Sequence, residues 1–324
     1  MTTLALAGDT MLGRLVGEHL AGHPARSLFG DDLLEVVASA DGTILNLECC
    51  VSDRGEPWPG RVFHFRAPPS AVDALTLLGV RAVTLANNHA MDYGATALLD
   101  TLDHLSRAGI AVAGAGPDAR SAAEPVRVTI GDDAVTLLSL TDDPAEYAAT
   151  ADRPGVAFVD LREGVPTSLA ATVRDLSRGE GLLLVSPHWG PNMVPAPLSR
   201  VRRAADGFVA AGAGLVAGHS AHVFHGVTGR VLYDLGDFLD DYAVGPLRND
   251  LGLLWLVTLD RGAATRLEAV PLRLRLHRTE LARGDDAAWV RERFREACQA
   301  LGTDVADVDG RLVVALPADR AASP

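Results

Sequence analysis

Lysine is absent from all 324 residues; every one of the 29 basic side chains is arginine. Schiff-base chemistry, pyridoxal phosphate and a P-loop lysine are thereby excluded, since each needs a primary amine. The gap fits a GC-rich genome better than a chemical demand. Cysteine is scarce as well. Cys49, Cys50 and Cys298 make no disulfide framework, and without a C-x-x-C spacing they offer no cysteine zinc site. Positive charge falls short of negative, 29 against 42 with a formal charge of -13, so the chain would meet a nucleic acid against its own field. No run reads as a membrane anchor. The two long uncharged stretches, 182–199 and 207–229, carry prolines or many glycines together with histidines. The first nine residues have no basic segment and reach a charge at Asp9, unlike a signal peptide. A cytoplasmic protein is expected.

What is present is a globular core. Hydrophobic residues make up 48% of the chain, which excludes disorder over most of its length. Strand-like runs at 3–7, 42–47, 81–86 and 110–113 alternate with helical spacing at 70–78 and 94–107, where Leu98, Leu99, Leu102 and Leu105 are expected on one side. From residue 126 the rhythm changes. A hairpin is predicted around Gly-Asp-Asp at 131–133, then helix 164–176, strand 182–186, helix 200–211 and strand 214–217. Two strands around Thr-Gly are expected within 223–238, two more at 251–259 and 266–274, then helix 286–301 and strand 311–316. The expectation is an α/β fold with mixed sheets between helices. One domain would span 1–275, with a C-terminal helix and strand packed on it over 276–317 and a disordered tail at 318–324.

The polar residues fall in a pattern. Asp9, Glu48, Asn88-His89, His188 and His219 each follow a predicted strand directly, and His222 comes three residues later. Strand ends converge on one edge of an α/β sheet, the usual place for a site. Five of the ten histidines, His89, His188, His219, His222 and His225, lie in three of these segments. Carboxylate, amide and imidazole donors together suit Mn, Zn or Fe, with Mg or Ca where oxygen dominates. One or two ions are expected, and the Glu48 carboxylate is placed to bridge a pair. Arg14 and Arg66 are candidate clamps for a substrate carboxylate or phosphate, or surface ion pairs. Trp189 is a pocket wall or a packed core residue. His225 and His64 are candidates for proton transfer.

The segments Gly8-Asp9-Thr-Met-Leu-Gly-Arg14, Asn46-Leu47-Glu48, Phe65-Arg66-Ala67-Pro68-Pro69, Asn87-Asn88-His89-Ala-Met-Asp92-Tyr93-Gly94, His188-Trp189-Gly190, Gly218-His219-Ser-Ala-His222 and Tyr233-Asp-Leu-Gly236-Asp237-Phe238 occur in that order. Together they resemble the CapA family of poly-γ-glutamate capsule-synthesis proteins, related to the calcineurin-like metallophosphatases. The resemblance runs from about residue 3 to residue 240 and implies a metallo-dependent phosphatase-like αββα sandwich with two mixed sheets. It implies that Asp9, Glu48 and His222 serve a first metal, with Glu48 in the bridging place, while Asn88, His188 and His219 serve a second. His89 matches a general acid and Asp92 its orienting carboxylate. There are departures. Met11 stands where phosphoesterases carry a histidine ligand, Pro191-Asn192 where an acidic residue is common, and Asp237 where asparagine is common.

The implied activity is metal-dependent hydrolysis of an amide or ester in a peptide or glutamyl-peptide substrate. Met11 leaves room for an alternative, a peptide epimerase that removes a Cα proton and returns it on the other face. A non-catalytic accessory to polymer export is a third reading. Asp234, Asp237, Asp240 and Asp241 follow the histidine pair with no basic residue between Arg230 and Arg248. The resulting negative field favours cations and makes an extended polyglutamate an awkward substrate.

Overall fold

The structure, a computed structural model, describes residues 1–317. The expected tail at 318–324 lies outside them. Its first strand, Thr2–Thr10, shows how the layers are built. Side chains alternate across a strand, so Leu4 and Leu6 enter a core between two sheets, while Ala5 and Ala7 face a second core under helices. The same alternation in Leu182–His188 sends Leu182 and Leu184 into the inter-sheet core and Leu183 and Val185 outward to a third. Two sheets back to back, each with helices outside, follow from this pattern.

The larger sheet has ten strands. Thr2–Thr10, Gly42–Leu47, Val80–Thr84 and Ala111–Ala113 run parallel, and Leu251–Asp260 and Ala263–Arg275 continue it antiparallel. Its outer face is covered by helices Arg14–Leu20, Asp31–Ala38, Val72–Leu77 and Gly94–Arg107, whose apolar sides share one core. The six-stranded sheet is centred on Leu182–His188, with Asp133–Thr141 and Leu215–Ala217 parallel on either side. Helices Thr167–Leu176 and Ser199–Ala211 cover it. The last helix, Gly284–Gln299, places Val290, Phe294 and Cys298 at i, i+4 and i+8 into the inter-sheet core. Strand Arg311–Ala315 then pairs with Ala263–Arg275.

Two expectations shift. The buried stripe of Gly94–Arg107 is Ala97, Leu98, Thr101 and Leu105, while Leu99 is exposed. Thr101 is turned inward because its hydroxyl accepts the Val51 N–H at 2.7 Å and donates back to the Ala97 carbonyl at 2.7 Å. The region 223–238 is a small hairpin, Val227–Thr228 with Val231–Leu232, and then a third piece. That piece, Asp237–Leu239, crosses to the larger sheet and pairs parallel with the end of Thr2–Thr10. Helices Arg14–Leu20 and Asp31–Ala38 have no counterpart in the periodicity reading, the first being only seven residues long.

Candidate metal centre

The crossing of Asp237–Leu239 is possible because residue 8 is glycine. A Cβ there would lie 1.8 Å from the Gly236 carbonyl oxygen, the same oxygen that accepts the Asp9 N–H at 3.0 Å. Asp9 and Asp237 thus become register partners at the end of the sheet. On the other sheet, His188 closes its strand and bridges to His219. The loop 218–222 then turns back with Ser220 at φ 124° and His222 at φ 59°, conformations L-residues rarely hold without support. Asp234 supplies that support: its two oxygens accept the N–H groups of Ala221 and Gly236 at 2.8 and 2.9 Å.

Asn46 is the hub beneath the cluster. Its amide group donates to Asp9 Oδ1 at 2.7 Å and to Glu48 Oε2 at 3.1 Å, and its oxygen accepts from Thr84 and Asn87 at 3.1 and 3.0 Å. The Thr84 hydroxyl has one hydrogen, given to Asn46, so it accepts from His219 Nε2 at 3.3 Å. A neutral His219 then turns a bare Nδ1 toward His188 Nδ1, 2.8 Å away, and Asp9 Oδ1, 3.8 Å away. His222 Nδ1 lies 2.8 Å from Asp237 Oδ1 and 3.2 Å from Asp9 Oδ2.

Two sets of three donors result, Asp9 with His188 and His219, and Asp9 with His222 and Asp237, all buried. Asp9 belongs to both. Glu48 belongs to neither, although its Oε1 is 3.8 Å from His222 Nε2 and 4.0 Å from His89 Nε2. The donors fit divalent cations on a direct observation. Asp9 Oδ2, Glu48 Oε1, Asn88 Oδ1 and Asp237 Oδ2 are buried acceptor atoms without a hydrogen bond, an arrangement that costs free energy unless a cation completes it. Met11 adds no donor; it is buried, with Sδ taken by the Gly13 N–H at 3.1 Å.

Electrostatics follow from the burial. Desolvation pushes Glu48 well above the carboxylate range, with the Asp9 charge adding to it. Burial would raise Asp9 too, but the charge of His222, 3.2 Å away, together with His219 and His188, holds it low. Burial also lowers His188 well below its usual value and His219 to about 4, so both offer neutral nitrogens. His222 moves the other way, because Asp237 and Glu48 outweigh its desolvation.

Beside the cluster, Asp92 accepts the Phe65 N–H and the Tyr147 hydroxyl at 2.7 and 2.9 Å, and its Oδ2 is 2.6 Å from His89 Nδ1. A carboxylate already accepting two hydrogens takes a third from Nδ1. His89, lowered by burial despite Asp92, is then neutral with a bare Nε2 facing Glu48.

The remaining candidates lie outside the two donor sets. Arg14 pairs with Asp241 at 3.3 Å. Arg66 stacks its guanidinium 4.1 Å over the Tyr93 ring and reaches the Arg54 and Gly55 carbonyls. Trp189 is buried against Phe208 and donates to the Tyr233 carbonyl at 2.9 Å. His225 donates Nε2–H to the Val194 carbonyl at 2.9 Å, behind Trp189. His64 donates to the Trp58 carbonyl at 2.8 Å. Sequence reasoning did not single out Asn46 or count Asp237 among the donors. A polar side chain inside the apolar strand Gly42–Leu47, two residues before Glu48, is the signal that pointed to Asn46.

Two back-to-back mixed sheets between helices, with donors gathered at the strand ends, make up a metallophosphatase-like fold. A structure described as a novel phosphatase from Mycoplasma pneumoniae shares the fold, with a TM-score of 0.50 and 13% identity over 84% of this chain and 93% of its own. The model for the family described as bacterial capsule synthesis protein PGA_cap matches residues 3–242, and the chain belongs to that family, the CapA family. Relatives include a Mycobacterium tuberculosis protein named probable polyglutamine synthesis accessory protein, 29% identical over 98% of this chain and 97% of its own. The capsule biosynthesis protein CapA of Bacillus anthracis is 27% identical over 84% of this chain and 67% of its own. Among the described residues, no helix is long and apolar enough to cross a membrane.

Proposed function

We propose that the protein is a metal-dependent enzyme that hydrolyses an amide or ester bond in a peptide or glutamyl-peptide substrate. The observation that carries this reading is the pair of buried three-donor sets sharing Asp9. Asp9, His188 and His219 would hold one divalent cation, Asp9, His222 and Asp237 a second, with Glu48 Oε1 3.8 Å from His222 and Asn88 sharing a cavity wall with His188. Such cations supply Lewis-acid polarisation of a substrate carbonyl or carboxylate.

The chain's own residues do the rest. His89 takes a proton at Nε2 from the attacking water and returns it to the leaving group, while Asp92 holds its Nδ1–H and steadies the imidazolium. Asn46 fixes the carboxylates of Asp9 and Glu48 relative to one another. The substrate class follows the names of the relatives, which concern polyglutamine and capsule polymer synthesis.

A second reading is epimerisation, in which His89 removes a Cα proton and a proton from solvent is returned to the opposite face, without cleavage. Met11 favours it, since one histidine fewer surrounds Asp9 and proton transfer tolerates a weaker metal better than hydrolysis does. Peptides incubated with manganese-loaded protein in deuterated water separate the readings. New amine or acid termini mark hydrolysis; deuterium at an intact Cα marks epimerisation. Neither product from any peptide would leave the accessory reading.

A further inference from the structure

A pocket of about 460 Å³ opens beside the cluster, with His89 and His222 in its wall. Its character is unlike that of the cluster. Phe65 lies 4.0 Å from the His89 ring and Tyr242 5.1 Å from the His222 ring, centroid to centroid. Phe63, 60% exposed, and Met193, 38% exposed, also line the pocket, two of the twelve large hydrophobic side chains exposed among the described residues. A grouped apolar rim around a concave site is the usual mark of something that binds there.

The charges decide what that is. Arg14, the cation in the wall, is already committed: Asp241 neutralises it at 3.3 Å, and its guanidinium lies over Phe63 and Phe65, 5.8 and 5.4 Å from their centroids. A glutamate side chain entering the pocket would leave water and find the one cationic side chain in its wall, Arg14, already paired with Asp241. An apolar side chain would gain burial without that penalty. Asn192 also lines a neighbouring polar cavity of about 540 Å³ containing His188, Asp142 and Arg200. A chain passing over the cluster can therefore continue from the apolar pocket into a polar one.

We propose that this pocket receives a bulky apolar side chain of a peptide substrate, next to the bond or centre that reacts at the cluster. The enzyme would then select peptides with an apolar residue there over a homopolymer of glutamate. This deepens the peptide-substrate reading and rests on it.

The test is calorimetric binding of Gly-Phe-Gly, Gly-Leu-Gly, Gly-Glu-Gly and a γ-glutamyl tetramer to the manganese-loaded full chain. The wild type is compared with Phe63→Ala and Phe63→Leu, and sedimentation follows self-association. The expected result is at least tenfold tighter binding of the apolar peptides, with the preference lost in Phe63→Ala and largely kept in Phe63→Leu. Phe63 is exposed, so its variants are expected to fold. Equal binding of all four probes, tighter binding of the glutamyl probes, or no binding at all overturns the proposal. So does a Phe63→Ala variant that dissociates a dimer while keeping its peptide preference, which would make the rim a contact between copies. Binding preference is read without turnover: a preference with no product from any peptide sinks the enzyme reading and not the pocket, and turnover without a preference does the reverse.

Discussion

Asp9 and Asp237 stand opposite one another in parallel register, and the His222 imidazole nitrogen Nδ1 lies between them, 3.2 Å from one carboxylate and 2.8 Å from the other. The pairing brings a carboxylate from the chain's first strand and one from a late crossover strand to one point. It also supplies oxygen donors beside Asp9 where the residue two positions on, Met11, gives none.

Asp237→Asn keeps the shape of that side chain and removes its charge. Metal analysis of purified, reloaded protein is expected to fall from two equivalents per chain to one, with the fold intact by circular dichroism. Two retained equivalents at wild-type affinity would remove Asp237 from the account.

His89→Gln and Asp92→Asn are expected to leave metal content unchanged and to lower turnover by about 10² to 10⁴, the usual weight of a positioned acid-base group. Asp92→Asn should also shift the pH profile, because the imidazolium loses its carboxylate partner.

Asn46→Ala strips four hydrogen bonds from buried groups and lets Asp9 and Glu48 face each other without a donor. Urea denaturation of the metal-free protein is expected to show a loss of about 3 kcal/mol. A loss under 1 kcal/mol would mean that the carboxylates are held by something else.

His225 is buried and lowered to about 4 from its ordinary 6.5. Between those values the unfolded chain binds a proton that the folded chain refuses, so stability falls as pH drops from about 7 to 4. The contribution approaches about 3 kcal/mol at the acid end. His225→Leu should remove that part of the slope, read as the difference between variant and wild-type denaturation curves across the range. Parallel curves would place the titration elsewhere.

The layer order and the gathering of donors at strand ends were legible in the sequence because both depend on local patterns. Alternation along 3–7 and 182–186 marks strands, and a polar residue at each apolar run's end marks the edge. The α/β fold follows from these, while the CapA resemblance rests on the ordered motifs from Gly8-Asp9 to Asp237-Phe238. What local pattern does not carry is pairing over long separations. That Asp237 returns to Asp9 depends on a glycine at position 8 whose missing Cβ makes room for the Gly236 carbonyl. The buried stripe on Gly94–Arg107 departs from the leucine periodicity for a similar reason: Thr101 turns inward to meet Val51, a partner fifty residues away. The pocket wall beside His89 and His222 draws on the 60–65, 190s and 240s segments at once and has no sequence signature of its own.

Metal titration of Asp9→Asn against wild type tests the central claim most directly, since Asp9 belongs to both donor sets. Chelator-stripped protein titrated with Mn²⁺ or Zn²⁺ should bind two equivalents in the wild type and neither tightly in Asp9→Asn. A wild type that binds no metal, or an Asp9→Asn variant that binds as the wild type does, would contradict the account.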